Sequence, residues 1–277
     1  MMSSNTIDNE LSELLWQGCI PILFRLSDND VASSNKHPNP VFKLASRFSY
    51  LPVICSDVIA HLQSFVLQYT SDIWYEYNSI PLKSNLPIGV LYDMSIHSND
   101  NDDNNLPVWA ITIHFQTFPR DIIPCSTLSD SERYFSHSLK QALYLLHGST
   151  GAYNSLTVEL KKSFWDSICS GSDYQTFQSI SSDLLLLSTT VNKLPIRFIK
   201  QGYPTRQISI EVLKNGEDIL LSDVITQLDD NDIKSNDQYK LLVHGIDITC
   251  HLNVSIHSLW RIFHHGDFFM YIIILIC

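Results

Sequence analysis

One lysine in this chain of 277 residues has a side-chain amine that could take part in a reaction. The stretch YFSHSLKQALYLL, residues 134–146, contains Lys140 and no other lysine or arginine. A deprotonated lysine amine is a nucleophile. From its sequence context alone, however, an exposed lysine on a helix is usually a solubilising residue.

Signatures of other reactive sites do not occur in the sequence. Serine, histidine and aspartate are abundant, but there is no G-x-S-x-G motif and no glycine-rich phosphate loop. A group of cysteine and histidine residues near the C-terminus lacks the spacing of a zinc site: Cys250, His251, His257, His264 and His265. We therefore expect no catalytic residue, no metal and no cofactor.

The composition is that of a globular protein with two or three domains. Hydrophobic residues make up 44% of the chain and charged residues 17%, and the net charge is −11. An acidic chain without a basic run is a poor candidate for binding nucleic acid. The six cysteines form no C-x-x-C pair and the N-terminus lacks the features of a secretory signal, so we expect a cytoplasmic protein.

The lysine lies on a predicted amphipathic helix over residues 129–147. Ser129 and Glu132 have the spacing of a capping box. An apolar stripe follows at helical spacing: Phe135, Leu139, Ala142, Leu143 and Leu146. At 3.6 residues per turn, Lys140 lies roughly 115° from the centre of that stripe. The pattern thus predicts an exposed amine in the middle of the helix.

The flanking segments predict two copies of one α+β architecture. A short helix over 7–16 is followed by strands over 20–26 and 41–51, a helix over 56–69 capped by Ser56 or Asp57, and three strands over 72–77, 87–94 and 109–115. This order is typical of a ubiquitin-like β-grasp fold, in which a sheet wraps over one helix. The insert HSNDNDDNNLP before the last strand is predicted to be a loop.

The second copy follows a helical middle region. Helices are predicted over 129–147, 154–169 and 173–187, and strands resume after Pro195 with a helix capped by Ser222 between them. The apolar run FFMYIIILIC is predicted to be a buried final strand, the alternative being a truncated membrane anchor. We predict an N-terminal helix at 1–18, a ubiquitin-like domain A at 19–120, a helix-rich domain at 126–188 and a ubiquitin-like domain B at 193–277.

Several short segments of the sequence resemble the autophagy protein 5 family. The block from Trp74 to Asp93 is the most specific, and the other similar segments occur in both flanking domains: CIPILFRL, SRFSYLPVICSDVIAHLQ, LPVWAITIHFQTFP, LPIRFIK and LLVHGIDI. The Asn/Asp-rich insert and the very apolar last strand depart from the family pattern. The resemblance implies a non-enzymatic scaffold of autophagosome formation, located in the cytoplasm and peripherally at the phagophore assembly site.

The resemblance also implies the role of particular residues. In the family, a lysine five residues after an aromatic residue and two before an alanine accepts the C-terminal glycine of the modifier autophagy protein 12, and Phe135, Lys140 and Ala142 match that spacing. E1-like and E2-like enzymes supply the chemistry. Arg47 and Gly89 match positions near the groove for the autophagy protein 16 helix. The alternatives are a solvated rim charge for Arg47 and a strand kink for Gly89.

The resemblance further implies that the complex acts like an E3 enzyme in the lipidation of autophagy protein 8. Three alternatives remain at this point. The modifier could dock noncovalently, with Lys140 as a contact only. The chain could be an unrecognised hydrolase that uses Ser and His residues. It could also be a generic ubiquitin-like binding module without a role in autophagy.

Overall fold

The computed structural model describes residues 4–32, 36–66, 72–96, 108–185, 193–214, 216–228 and 238–276, with only the backbone described at 4–7 and 96. The chain divides into two compact units. One unit comprises residues 18–135, and the other comprises residues 1–17 together with residues 136–277. The Asn/Asp-rich insert at 97–106 lies outside the described residues.

The first half of the chain folds into short helices and strands. In chain order they are α1 (Ser4–Trp16), β1 (Cys19–Leu26), β2 (Val41–Ser46), α2 (Leu51–Ile54), α3 (Ser56–Gln63), β3 (Trp74–Tyr77), β4 (Ile80–Pro81), α4 (Ile88–Ile96) and β5 (Trp109–His114).

The second half of the chain begins with four helices and continues mainly as strands. In chain order its elements are α5 (Leu128–His147), α6 (Gly151–Ser155), α7 (Val158–Ser170), α8 (Tyr174–Leu185), β6 (Lys193–Lys200), β7 (Arg206–Glu211), β8 (Leu213–Lys214), β9 (Glu217–Asp218), α9 (Leu221–Ile225), β10 (Tyr239–Val243), β11 (Ile246–Asp247), α10 (Ile256–Phe263) and β12 (Met270–Ile276).

Residues 18–135 contain a five-stranded sheet in the order β2-β1-β5-β3-β4. The central strand β1 pairs antiparallel with β2 and parallel with β5. Side chains of alternate residues point to one face of a strand, and those of β1 and β5 on one face are buried: Ile20, Ile22, Phe24, Ile111 and Ile113. Helix α3 buries Val58 and Leu62, which supplies the apolar helix that a β-grasp sheet requires.

The other unit contains a second five-stranded sheet, in the order β11-β10-β12-β6-β7. Its central strand β12 pairs parallel with β6 and antiparallel with β10. Met270 through Ile274 are all buried, because a central strand is covered on both faces. The predicted final strand is therefore confirmed. None of the described helices combines the length and the apolar composition needed to cross a membrane.

Three predicted elements of residues 18–135 are wrong in type or in length. The predicted strand over 87–94 is instead helix α4, Ile88–Ile96. The helix predicted over 56–69 ends at Gln63, and Val66 forms a bridge with Val31. Residues 67–71, including Tyr69, lie outside the described part of the chain. The strand predicted over 41–51 ends at Ser46.

Three predicted helix caps are also wrong. Helix α5 begins one residue earlier than predicted, and its capping box is formed by Thr127 and Asp130: the Asp130 N–H donates to the Thr127 hydroxyl at 3.1 Å and the Thr127 N–H donates to the Asp130 carboxylate at 3.2 Å. The cap of α9 is Leu220 rather than Ser222. Helix α3 follows Cys55 without a side-chain cap.

Candidate functional site

Helix α5 presents Lys140 beside a fully buried apolar stripe. Phe135 is 2% exposed, and the four other predicted stripe residues are completely buried: Leu139, Ala142, Leu143 and Leu146. The predicted stripe is confirmed. Lys140 itself is half-exposed rather than fully exposed, because an aromatic ring that the sequence did not indicate lies next to its side chain.

That ring belongs to Tyr153 of helix α6, which is 6% exposed. The Lys140 Nζ lies 5.6 Å from the centroid of the ring, and the Nζ of Lys161 on helix α7 lies 5.5 Å from the same centroid. The Tyr153 hydroxyl is 3.1 Å from the hydroxyl of Ser136, one turn before Lys140. A tyrosine ring within about 6 Å attracts an ammonium group through its quadrupole. The two amines therefore share one ring.

A partly buried polar network fixes the other flank of α5 to the sheet of the same unit. The guanidinium of Arg197 on β6 donates to Ser138 at 2.7 Å and to Gln141 at 3.0 Å. Asp267, which is 1% exposed, accepts from the Ser138 hydroxyl at 2.5 Å. Arg197 also lies over the Phe269 ring at 3.6 Å. Since Ser138 and Gln141 flank Lys140 in sequence, this network holds the backbone that carries the amine.

Burial raises the pKa of Tyr271, another member of this network. Its hydroxyl donates to Asp267 at 2.6 Å and accepts from Arg197 at 2.9 Å. Desolvation is the largest cause of the raised pKa, and the charge of Asp267 adds to it. The phenol therefore stays protonated and serves as a hydrogen-bond donor. The arrangement is structural, because Arg197, Asp267, Ser138 and Tyr271 are each hydrogen-bonded to other members of the network.

The structure brings the other two predicted site residues, Arg47 and Gly89, into direct contact. The Gly89 N–H donates to the Arg47 carbonyl at 2.8 Å. The Arg47 guanidinium forms an ion pair with Asp93, one turn further along α4. The Arg47 side chain is 13% exposed and that of Asp93 is 3% exposed. The solvated rim charge considered for Arg47 is therefore wrong, and so is the strand kink considered for Gly89, which lies in a helix.

Close approach explains why this position holds a glycine. A Cβ atom at Gly89 would lie 3.0 Å from both the Cβ and the carbonyl oxygen of Arg47. The adjacent Tyr92 packs edge-on against Trp109, with ring centroids 5.5 Å apart. Burial raises the pKa of Tyr92, with Asp93 adding to that effect and Arg47 opposing it. Whether this surface contacts a partner stays a prediction.

The histidine-rich C-terminal segment is used for packing. The His244 and His265 rings stack with centroids 4.2 Å apart. The His264 ring nitrogen lies 3.0 Å from the His265 carbonyl, and burial lowers the pKa of His264. Over the described ranges, no three His, Cys, Asp or Glu side chains form a group that could hold a metal ion.

Sequence reasoning missed Tyr153, Lys161 and Asp267. Tyr153 lies in a helix of only five residues, so no periodic pattern marks its ring as buried. Asp267 is far from Ser138 and Arg197 in sequence, and no local signal connects them. The ion pair between Arg47 and Asp93 was not predicted either, because Asp93 entered only as the last residue of the segment that resembles the family.

Comparisons with known proteins agree with this architecture. Three family models of autophagy protein ATG5 match in order: the UblA domain at residues 15–115, the alpha-helical bundle region at 129–187 and the UblB domain at 193–274. Autophagy protein 5 of Debaryomyces hansenii is 27% identical over 99% of this chain and 98% of its own length. That of Dictyostelium discoideum is 28% identical over 75% of this chain and 65% of its own.

A solved structure has the same fold. The crystal structure of Kluyveromyces marxianus Atg5 superposes with a TM-score of 0.76 at 26% identity, covering 95% of this chain and 98% of that one. The predicted α+β fold, with two ubiquitin-like domains and a helix-rich domain, is confirmed. Since the three domain models together span most of the sequence, the chain belongs to the autophagy protein 5 family and its role is in autophagy.

Proposed function

We propose that this chain is a non-catalytic scaffold that accepts the modifier autophagy protein 12 through an isopeptide bond at Lys140. The observation that carries the proposal is the state of that amine. Lys140 is half-exposed on a helix of 20 residues, and the part of the chain that the structure describes offers its Nζ a ring contact but no hydrogen bond or ion pair. An amine held this way can turn toward a donor carbonyl at little cost.

The geometry around Lys140 supports an acceptor rather than a catalyst. Helix α5 is anchored on one side by its buried stripe and on another by Arg197 and Asp267. A rigid helix holds the amine in a defined place, which favours attack on a thioester presented by another protein. The E1-like and E2-like enzymes of the pathway would supply the activated carbonyl.

We further propose that the surface around Arg47 and Gly89 binds an amphipathic helix of autophagy protein 16. The buried ion pair with Asp93 and the close approach at Gly89 give this region a fixed shape, which favours binding because little ordering is needed when the helix docks. The assembled complex acts like an E3 enzyme that promotes lipidation of autophagy protein 8. It works in the cytoplasm and peripherally on the membrane of the phagophore assembly site.

Lys140→Arg tests the acceptor assignment. Arginine keeps the positive charge but does not form the isopeptide bond, so we expect the heavier covalent species to disappear from denaturing gels of cell extracts. Intact-mass measurement of the purified chain checks the result. Lys162→Arg is the matched control, since Lys162 is an exposed lysine on the neighbouring helix α7, and it should keep the adduct.

Two other results would change the assignment. An adduct of unchanged amount in Lys140→Arg would show that another residue is the acceptor. A wild-type chain that copurifies with the modifier under native conditions, but separates from it on a denaturing gel, would support the noncovalent alternative.

A further inference from the structure

We propose that Tyr153 is the positioning residue for the acceptor amine, and that Lys140 rather than Lys161 reacts because the Asn154 carbonyl restrains the Lys161 amine at the same ring. This inference rests on the proposed function of Lys140. It assigns a role to a side chain on helix α6 that would not itself touch the donor carbonyl. Tyr153 acts through Lys140, by holding its amine in one region of the surface before transfer.

The ring is fixed from more than one side. Tyr153 is 6% exposed, and its hydroxyl is 3.1 Å from that of Ser136. Ser136 and Lys140 are four residues apart on α5, so they lie on the same side of the helix. The Tyr153 ring belongs to helix α6, but its hydroxyl contacts Ser136 of helix α5, which also carries Lys140. Because the contact between Tyr153 and Ser136 lies one turn before Lys140, it holds the ring in place and so restricts movement of the Lys140 amine.

The two amines at this ring are held differently. Lys161 Nζ donates a hydrogen bond of 3.1 Å to the Asn154 carbonyl in addition to its ring contact. Lys140 Nζ makes the ring contact alone within the described residues. Hydrogen bonds from a charged donor are roughly twice as strong as neutral ones, whereas an exposed ring contact is weak. Lys140 is consequently the less restrained of the two amines, so it can turn toward a donor carbonyl while it stays beside the ring.

The transfer step then follows simple stoichiometry. The Lys140 ammonium loses one proton to solvent, and the neutral amine attacks the thioester carbonyl of the modifier. The C–N bond forms and the C–S bond breaks. The departing thiolate takes up the second proton that the nitrogen releases, which leaves an amide and a free thiol. No oxidant, reductant or metal is needed.

Tyr153→Leu tests the inference in a reconstituted transfer assay. The variant and wild type are compared over a range of concentrations of the E2-like enzyme charged with the modifier. Loss of a ring contact of this kind predicts a roughly two- to five-fold lower rate at saturation with an unchanged half-saturating concentration. Reaction of Lys140 with a small acylating reagent, followed residue by residue by mass spectrometry, should not slow, because such a reagent needs no fixed orientation.

Matched variants separate positioning from general damage. Tyr153→Phe keeps the ring and should give a rate closer to wild type than Tyr153→Leu. Tyr144→Leu makes the same change at an exposed tyrosine one turn after Lys140, and it should leave the rate unchanged. If Tyr153→Leu does not fold, Tyr153→Met removes the ring with a flexible side chain that adapts to an irregular gap.

The possible outcomes test the role of Tyr153 separately from the proposed acceptor function of Lys140. A wild-type chain that forms no adduct at Lys140 overturns the proposed function and the inference together. A wild-type chain that conjugates at the same saturated rate as Tyr153→Leu overturns the inference alone. Wild-type labelling by the small reagent that is faster at Lys161 than at Lys140 would contradict the selection argument.

Discussion

At the scale of single residues, the polar groups that matter most are those that the fold has buried. Asp267 and Arg197 lie in the network beside Lys140, and the carboxylate accepts hydrogen bonds from Ser138 and Tyr271. A buried charge is tolerated only when it is paired and hydrogen-bonded. This arrangement explains why a charged residue adjoins the apolar run of β12.

We expect Asp267→Asn to destabilise the protein by about 3 kcal/mol. The amide retains the shape but not the charge, so the Arg197 guanidinium, with a side chain 14% exposed, loses its anionic partner. Urea unfolding measures the change in the free energy of unfolding. Asp8→Asn is the control: it alters the more exposed ion pair with Arg261, with N–O distance 3.0 Å, and should cost less than about 1 kcal/mol. Equal losses in the two variants would contradict the buried-pair argument.

At the scale of elements, helix α4 is the unexpected feature. Its sequence IGVLYDMSI is apolar almost throughout, and its residues from Ile88 to Ser95 are buried with the exception of the half-exposed Tyr92. A helix that is covered on nearly all sides has no polar face, so its sequence lacks the 3.6-residue period. The pattern therefore predicts a strand where the chain forms a helix. The contact of α4 with Arg47 depends on the absence of a side chain at Gly89.

Gly89→Ala should destabilise the protein by about 1 kcal/mol. Crowding against Arg47 costs about 1–3 kcal/mol, and the better helix propensity of alanine offsets about 1 kcal/mol of it. The free energy of unfolding in urea checks the value. In the control Gly151→Ala, the new methyl group meets only the Ser149 hydroxyl, at 3.2 Å, which can rotate away. The idea fails if Gly89→Ala is as stable as the control.

At the scale of the whole molecule, several partly buried histidines make stability depend on pH in the same direction. Burial is the largest cause of the lowered pKa of each of these side chains: His114, His147, His257 and His264. In the folded state they resist protonation, whereas in the unfolded chain they protonate near pH 6.5. The unfolded state therefore takes up more protons as the pH falls below that value.

We expect the melting temperature to fall when the pH is lowered from 7.5 to 5.5. Each such histidine contributes at most about 1.4 kcal/mol per pH unit to the slope. Differential scanning fluorimetry between pH 5.5 and 7.5 measures the melting temperature and its slope with pH. His264→Gln should give a shallower slope, whatever its effect at pH 7.5, because it removes one of the groups. A slope identical to that of wild type would exclude His264 as a contributor.

The acidic whole-molecule charge bears on the proposed role as well. A net charge of −11 disfavours nonspecific attraction to nucleic acid. Lys140 and Lys161 nevertheless lie together at one ring. Local placement, rather than the average composition, thus decides the electrostatics of the candidate acceptor site.

The sequence by itself determined the features that depend on local periodicity. The apolar stripe of α5, the alternation of β1 and β5, and the β-branched final strand are each encoded within a few residues, and the structure agrees with them. The segment from Trp74 to Asp93, which resembles the autophagy protein 5 family, indicated which fold these elements form. The side of α5 on which Lys140 lies also followed from the helical period.

Tertiary structure alone decided the features that join distant residues. Asp267 meets Ser138 across a separation of 129 positions, and Arg197 meets Tyr271 across 74. The buried helix α4 and the Tyr153 ring at Lys140 likewise depend on what surrounds them rather than on their own pattern. Local sequence specifies which face of an element is apolar, but the partner of each polar side chain is chosen only when the elements pack.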